Sequence, residues 1–406
     1  MVSNRTGREP GIFSRFFKKK IMKKLIYKFI LPLLLLFSLA TFSQMPIDKG
    51  DPPNPTDIPD FYKSRLSDIE AIVKGLKLGK AEVIAKSPGG LPVYAVYYGE
   101  KDNFNSQANY NSAVGAGNPV YYAKKDASVK PVVYFVGPVH GQEGEGIAGL
   151  NNLIMIAETG KDYRGKEWPE LKKYIDQCRV VIIPCGNPDG RKRCPYDTFV
   201  GLPCDIMTKY GQGTKKDGTP WTHPRVKGLH PVKGDVGILG AYFNNDGINV
   251  MHDEFFAPMA EETKAILKVA QKEAPDITVS LHSCCCPVPF MIQNPHAPRF
   301  MRKRISELAD QLNRKYTALN LPHQKEGWSL PLDGDDEMPP PKKSFNLVSA
   351  LHYTSGTMSF TFECSHGSLR EGNEATSVKY NKIVDAGLVL YQEMFNYIIN
   401  KRIYWE

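Results

Sequence analysis

Four short runs of β-branched and other apolar residues each stop at residues capable of chemistry. Val132-Val-Tyr-Phe-Val136 leads into His140-Gly-Gln-Glu143, and Val180-Val-Ile-Ile183 into Asn187-Pro-Asp-Gly190. Ile277-Thr-Val-Ser-Leu281 leads into His282-Ser283, and Ser359-Phe-Thr-Phe362 into Glu363-Cys-Ser-His366. Runs this short and this apolar read as strands buried on both faces. Stretches with helical spacing at 147–159, 260–273, 299–319 and 377–401 alternate with them. The chain is therefore α/β. In an open α/β sheet, ligands bind beyond the carboxyl ends of the strands, where the loops converge. Polar residues gathered at several strand ends thus weigh more than the same residues scattered.

The remaining segments fit around this pattern. Residues 44–59, rich in Pro and Asp, read as a linker, and 61–78 have helical spacing. Residues 82–85 and 91–98 form a hairpin turned by Pro88-Gly89-Gly90, and the Asn-rich 103–113 reads as a surface excursion. A loop-rich stretch fills 191–242. No repeat and no second linker appears, so 60–401 is read as one catalytic-size domain.

Composition bears on partners. The chain is 42% hydrophobic and 23% charged, which excludes a disordered chain or a collagen. Its net charge of +9 hints at an anionic partner until the charge is located. Residues 1–43 carry nine basic side chains and one acid, leaving only +1 for the rest, so a nucleic-acid-binding role is disfavoured. Lys28 is followed by a short apolar run ending in small residues near Ala40 to Ser43. That order reads as a secretory signal peptide, cleaved after Ala40 or after Ser43. Met22 is an alternative start that would make 1–21 an over-extended frame. The competing reading is an uncleaved membrane anchor. The apolar run is shorter than the roughly 18–20 residues a spanning helix needs, and it contains Pro32. The expected location is secreted or periplasmic, where disulfides form. No cysteine pair has the spacing of a structural zinc site, and Cys284-Cys285-Cys286 reads as buried thiols or one local disulfide.

His140, Glu143 and His282 make a two-nitrogen, one-carboxylate zinc set. Catalytic zinc takes three protein ligands and leaves a fourth position for water. Two neutral imidazoles and one carboxylate leave the site at +1, able to acidify water and polarise a carbonyl. Gly141 and Gly144 let the backbone bend so that His140 and Glu143 face one point. Glu145 is an alternative ligand at a less usual spacing.

Taken in order, His140-Gly-Gln-Glu143, Asn187-Pro-Asp-Gly190, Ser280-Leu-His282-Ser and Phe360-Thr-Phe-Glu363 resemble the motifs of the carboxypeptidase A-like zinc carboxypeptidases. Ser87-Pro-Gly-Gly-Leu-Pro-Val-Tyr94 resembles the family's early hairpin. Glu262-Thr263 and the helix after it resemble the segment before its last zinc ligand. The resemblance spans about 58–400. It implies a three-layer α/β/α fold with a mixed, mostly parallel sheet, and one zinc ion per chain. It also implies hydrolysis of peptide bonds by a zinc-bound water. His140, Glu143 and His282 match the family's zinc ligands, and Glu363 its catalytic glutamate. A carboxylate beside the metal can take a proton from water and pass it to the leaving amine.

Two features depart from the family. Its Asn-Arg clamp for the substrate's terminal carboxylate is replaced by Met251-His252 within Gly247-Ile-Asn-Val-Met-His-Asp253. An arginine fork grips a carboxylate bidentately and permanently; methionine donates nothing, and histidine is charged only conditionally. His252 is the candidate substrate-binding residue left in that stretch. The family's oxyanion arginine has three candidates here, Arg191, Arg193 and Arg225, of which Arg193 is preferred. The family's late tyrosine has no clean match, and Tyr353 is the nearest candidate. Two long loops are substrate-facing by position: 194–242, and 326–343 with Trp328 and the acidic run Asp333 to Glu337. That run lacks the spacing of a calcium loop and reads as a solvated face.

The leading expectation is an exported zinc metallopeptidase acting on peptides or peptide-like amides, with no nucleic-acid partner and membrane contact only through the leader. The altered clamp motivates an alternative, a zinc amidase or deacylase acting on cell-wall peptides or other non-standard amides. A non-catalytic binding protein on the same scaffold would have no need of the ligand set and Glu363 together.

Overall fold

In the computed structural model, seven strands form one mixed sheet in the order β1-β2-β4-β3-β5-β7-β6. They are β1 Lys80–Lys86, β2 Pro92–Tyr98, β3 Val132–Val136, β4 Arg179–Ile183, β5 Ile277–Cys284, β6 Phe290–Ile292 and β7 Met358–Ser365. The four central strands, β4, β3, β5 and β7, are mutually parallel. The hairpin β1–β2 at one edge and β6 at the other run antiparallel. The structure describes residues 44–402 apart from 103–108, 119, 124, 126–127, 325–342 and 371–377. The leader, and the loop with Trp328 and the acidic run, lie outside the described residues.

Both faces of the sheet are covered, and β3 is accordingly apolar at every position and β4 from Val180 onward. Side chains alternate across a strand, so Val133 and Phe135 enter one core while Tyr134 and Val136 enter the other. On the first face lie α2 (Gly144–Thr159), α3 (Pro169–Gln177), α5 (Arg299–Ala318) and α7 (Tyr380–Asn400). The second face is covered by α4 (Glu261–Glu273) and α6 (Leu347–Ser355). The remaining longer helix, α1 (Leu66–Gly75), packs Ile69 against Ile147 of α2 and Cys185. The result is the expected α/β/α sandwich. Among the described residues, no helix is long and apolar enough to cross a membrane.

Some local expectations shift. The strands expected to end at 281 and 362 run on to Cys284 and Ser365, so His282 and Glu363 belong to the sheet and face each other in register. Strand β6 has only three residues, too few for any periodicity to register. Residues 44–59 are not a slack linker. The Met45 amide donates to the Arg193 carbonyl at 2.9 Å, and Lys209 bridges Asp48 and Asp51 at 2.6 and 2.7 Å. Tyr196 donates to the Pro52 carbonyl at 2.8 Å. Cys284 and Cys286 are disulfide-bonded; Cys285 is free.

Asn187-Pro-Asp-Gly190 acts as a structural knot. The Asn187 side chain caps the short helix Pro188–Arg193 by accepting from the Gly190 amide at 2.9 Å. Buried Asp189 accepts from the Ser87 hydroxyl at 2.5 Å and from the amides of Gly89 and Asn245 at 3.1 and 3.0 Å. One carboxylate thus fastens the β1–β2 turn to the wall of the long loop. Replacing it orphans these donors, each worth about 1–3 kcal/mol when buried and unsatisfied. Asp189→Ala should therefore lower the unfolding free energy by about 3 kcal/mol in urea titration, and an unchanged midpoint would refute the knot.

Candidate metal centre and active-site cavity

The loop leaving β3 turns sharply enough to aim His140 and Glu143 at one point. Gly141 makes that turn: its amide donates to the Ala241 carbonyl at 2.7 Å, and a Cβ there would run into the Gly190–Arg191 backbone. Arg191 braces the same loop, donating to the Gly141 carbonyl at 3.3 Å and the Tyr196 carbonyl at 3.0 Å. Glu143 sits at the N-cap of α2. His282 arrives from the carboxyl end of β5.

These three side chains are buried, and one donor atom from each lies within 4.8 Å of the other two. His140 Nδ1 is 2.8 Å from Glu143 Oε1, His282 Nδ1 is 3.2 Å from Glu143 Oε2, and the two Nδ1 atoms are 3.2 Å apart. Each ring's other nitrogen is engaged elsewhere: His140 Nε2 with Asn249 Oδ1 and His282 Nε2 with Ser280 Oγ, both at 3.2 Å. Asn249 Oδ1 also accepts from the Met251 amide at 3.0 Å, which fixes the amide's orientation. An oxygen acceptor at Nε2 puts the His140 proton there and leaves the Nδ1 lone pair aimed at the shared point. Burial raises the Glu143 carboxyl, but the His140 and His282 charges outweigh it and bring it down to about 2. An ionised carboxylate and two imidazole nitrogens converging on one point fit a tetrahedral zinc ion with a fourth position left open.

Asn249 was not singled out from the sequence, although it lies in the stretch where a substrate clamp was sought. Partners of this kind typically govern metal affinity 10–100-fold. Asn249→Ala should weaken zinc binding by about that factor in chelator competition while leaving the three ligands in place; unchanged affinity would refute its orienting role. Tyr242 was also missed. Its ring stacks on His140 at 3.6 Å between centroids and 18° between planes, closing one side of the site.

The triad opens onto a cavity of about 1060 Å³ whose wall also holds Glu363, His252, Tyr242 and Lys227. Glu363 stands opposite His282 on the adjacent parallel strand. Burial pushes its carboxyl up to about 7, with His282 opposing and the Glu143 charge adding to the rise. His252, on the turn Val250–His252, is pushed down to about 3 by burial and by Lys227, so its ring is neutral near pH 7.

Two expected site residues are placed elsewhere. Arg193 is a tie for the 239–245 loop and not a cavity donor. Its guanidinium donates to the Leu239 carbonyl at 2.9 Å, to Asn245 Oδ1 at 2.5 Å, to the Gly240 carbonyl at 3.0 Å and to the Phe243 carbonyl. Tyr353 is on α6, its hydroxyl donating to the His296 carbonyl at 2.9 Å and its ring against Phe345, off the cavity wall. Arg225 is exposed and also off that wall.

The sequence profile of one family, described as zinc carboxypeptidase, matches residues 77–199, which include His140, Glu143 and Asn187 to Gly190. No curated protein matches the chain. Among solved structures, a metallo-carboxypeptidase from Burkholderia cenocepacia aligns with a TM-score of 0.51 and 14% identity, over 82% of this chain and 69% of that one. A putative carboxypeptidase from Burkholderia mallei ATCC 23344 aligns at 0.52 and 14%, over 82% and 67%. These likenesses establish the fold, and the profile matches the segment that carries two of the three converging side chains. Residues 77–199 thus match the zinc carboxypeptidase profile, and the chain shares the fold of these carboxypeptidases.

Proposed function

We propose that this protein is an exported, zinc-dependent metallopeptidase that hydrolyses peptide bonds. The observation that carries the reading is the buried His140–Glu143–His282 set opening, together with Glu363, onto one large cavity. Zinc held by these three side chains supplies a Lewis acid for the scissile carbonyl and lowers the pKa of water toward neutrality. The chain's own residues do the rest. Glu363 takes a proton from the attacking water and returns it to the leaving nitrogen, a task suited to a carboxyl whose proton affinity burial raises. Asn249 and Ser280 hold the two imidazoles in the orientation that presents Nδ1. Tyr242 covers His140 and limits water on that side. The leader, residues 1–43, is the basis for export and for cleavage near Ala40 to Ser43.

A second reading, hydrolysis of amides without a free terminal carboxylate, is favoured by the buried Met251 and the neutral His252 where the family has an arginine fork. Zinc analysis of the purified full chain and a peptide-library digest read by mass spectrometry test both readings. About one equivalent of zinc with loss of single C-terminal residues supports the first. Internal cuts, or release from cell-wall fragments alone, support the second. Protein that binds no zinc and cuts nothing refutes both.

A further inference from the structure

Lys227 lies on the turn Arg225–Gly228 of the long loop, and the cavity wall includes it. The turn is held in place: Val226 beneath it is fully buried in a cluster with Val232, Tyr242 and Phe243, and Tyr242 is the ring stacked on His140. The Val232 amide donates to the Gly247 carbonyl at 2.8 Å, joining the same loop to the stretch that carries Asn249 and His252. Lys227 is thus positioned relative to the metal ligands by packing and does not sway on a free tether.

Its side chain is half-buried. Among the described residues its ammonium makes no hydrogen bond and no ion pair, although it lies within electrostatic reach of Glu363 and His252. Glu143 and Glu363 are the only carboxylates on the described cavity wall. The first is committed to the metal set, and the second must exchange a proton. Among the described residues, no permanent counter-charge remains for the ammonium. A partly desolvated cation is costly without an anion and favourable with one.

We propose that Lys227 is the specificity-determining contact of this cavity, its ammonium gripping a carboxylate that the substrate carries beside the scissile amide. The proposal rests on the hydrolase reading above and gives that site its substrate class. A lysine is a compact point charge with no bidentate geometry to satisfy. It accepts a carboxylate from a chain terminus or from an acidic side chain, and it approaches from the 194–242 loop and not from the 247–253 stretch.

The test uses the zinc-loaded full chain and three N-acylated dipeptides: one ending in a free alanine carboxylate, its C-terminal amide, and a glutamate dipeptide amidated at its C-terminus. Lys227→Met should raise KM about 10- to 100-fold for the carboxylate-bearing substrates, with kcat within a few-fold and the neutral amide unaffected. Lys227→Arg should restore most of the loss. Whichever carboxylate loses affinity identifies its source, terminal or side-chain. The same shift should appear as a calorimetric Kd on the hydrolytically impaired Glu363→Gln protein. Equal effects on charged and neutral substrates, or a fall in kcat at unchanged KM, would overturn the assignment. If the wild type hydrolyses none of the three, removal of single C-terminal residues is refuted as the activity, and the calorimetric arm still decides Lys227 on its own.

Discussion

Glu363→Gln should keep its zinc and lose hydrolysis, with kcat falling by about 10²–10⁴, the range a positioned proton-transfer group contributes. The substitution keeps the side chain's volume and one carbonyl oxygen, so the register of β7 against β5 and the packing around His282 are undisturbed. What disappears is the ability to accept a proton. Glu363 is not among the three residues whose donor atoms converge, so metal content should be unchanged. Glu143→Gln reverses the pattern: it removes a charge from between His140 and His282, and zinc should be lost along with activity. Zinc measured by emission spectroscopy on each variant, beside single-turnover hydrolysis, separates the two roles. A Glu363→Gln protein with full activity would remove the proton-transfer assignment, and one without zinc would make Glu363 a ligand.

Much of this arrangement is legible in the sequence, and the legible part has a physical reason. Strands β3 and β4 are buried on both faces, so Val132 to Val136 and Val180 to Ile183 stand out as short uninterrupted apolar runs. Residues at their carboxyl ends must converge, which makes His140, Glu143, His282 and Glu363 recognisable as a set before any coordinates exist. Other features depend on distant partners. Arg193 sits directly after a family motif, but its environment is made by carbonyls 46 or more residues away, so proximity in sequence misleads. Residues 44–59 have the composition of a linker, yet Asn54 and Pro52 bond to Asp197 and Tyr196 across more than 140 positions. Lys227 and Asn249 come from irregular loops, where no periodicity announces which way a side chain faces. Tyr353 lies only ten residues before Glu363 in the chain, but the helix it belongs to, α6, carries it to a different surface.

The second large effect concerns a buried ion pair that the chemistry does not use. His366 Nδ1 lies 3.0 Å from Glu145 Oε2, both side chains fully buried, and Tyr62 donates to Glu145 Oε1 at 3.2 Å. Glu145 is two residues beyond Glu143, and His366 is three beyond Glu363, so the pair ties the first turn of α2 to the end of β7. Removing one partner leaves the other charged in a dry environment, and His366→Ala or Glu145→Ala should each cost about 3–5 kcal/mol in denaturant titration. Replacing Glu145 by Met, His366 by Phe and Tyr62 by Phe together removes both charges and the Tyr62 donor and should cost less than either single change. The sign of the pH dependence follows from the two shifts. Burial lowers the His366 pKa, but Glu145 raises it further, so its contribution is complete below the ordinary value of 6.5 and fades as pH climbs through the raised one. Burial raises Glu145, but His366 more than offsets it, so its contribution is complete above 4.5 and fades as pH falls through the depressed value. The stability gap between wild type and Glu145→Gln, both compared without zinc, should therefore be widest between about pH 4.5 and 6.5 and close toward alkaline pH. A gap that stays constant from pH 5 to 9 would mean that the two groups meet as neutral hydrogen-bonding partners and not as ions.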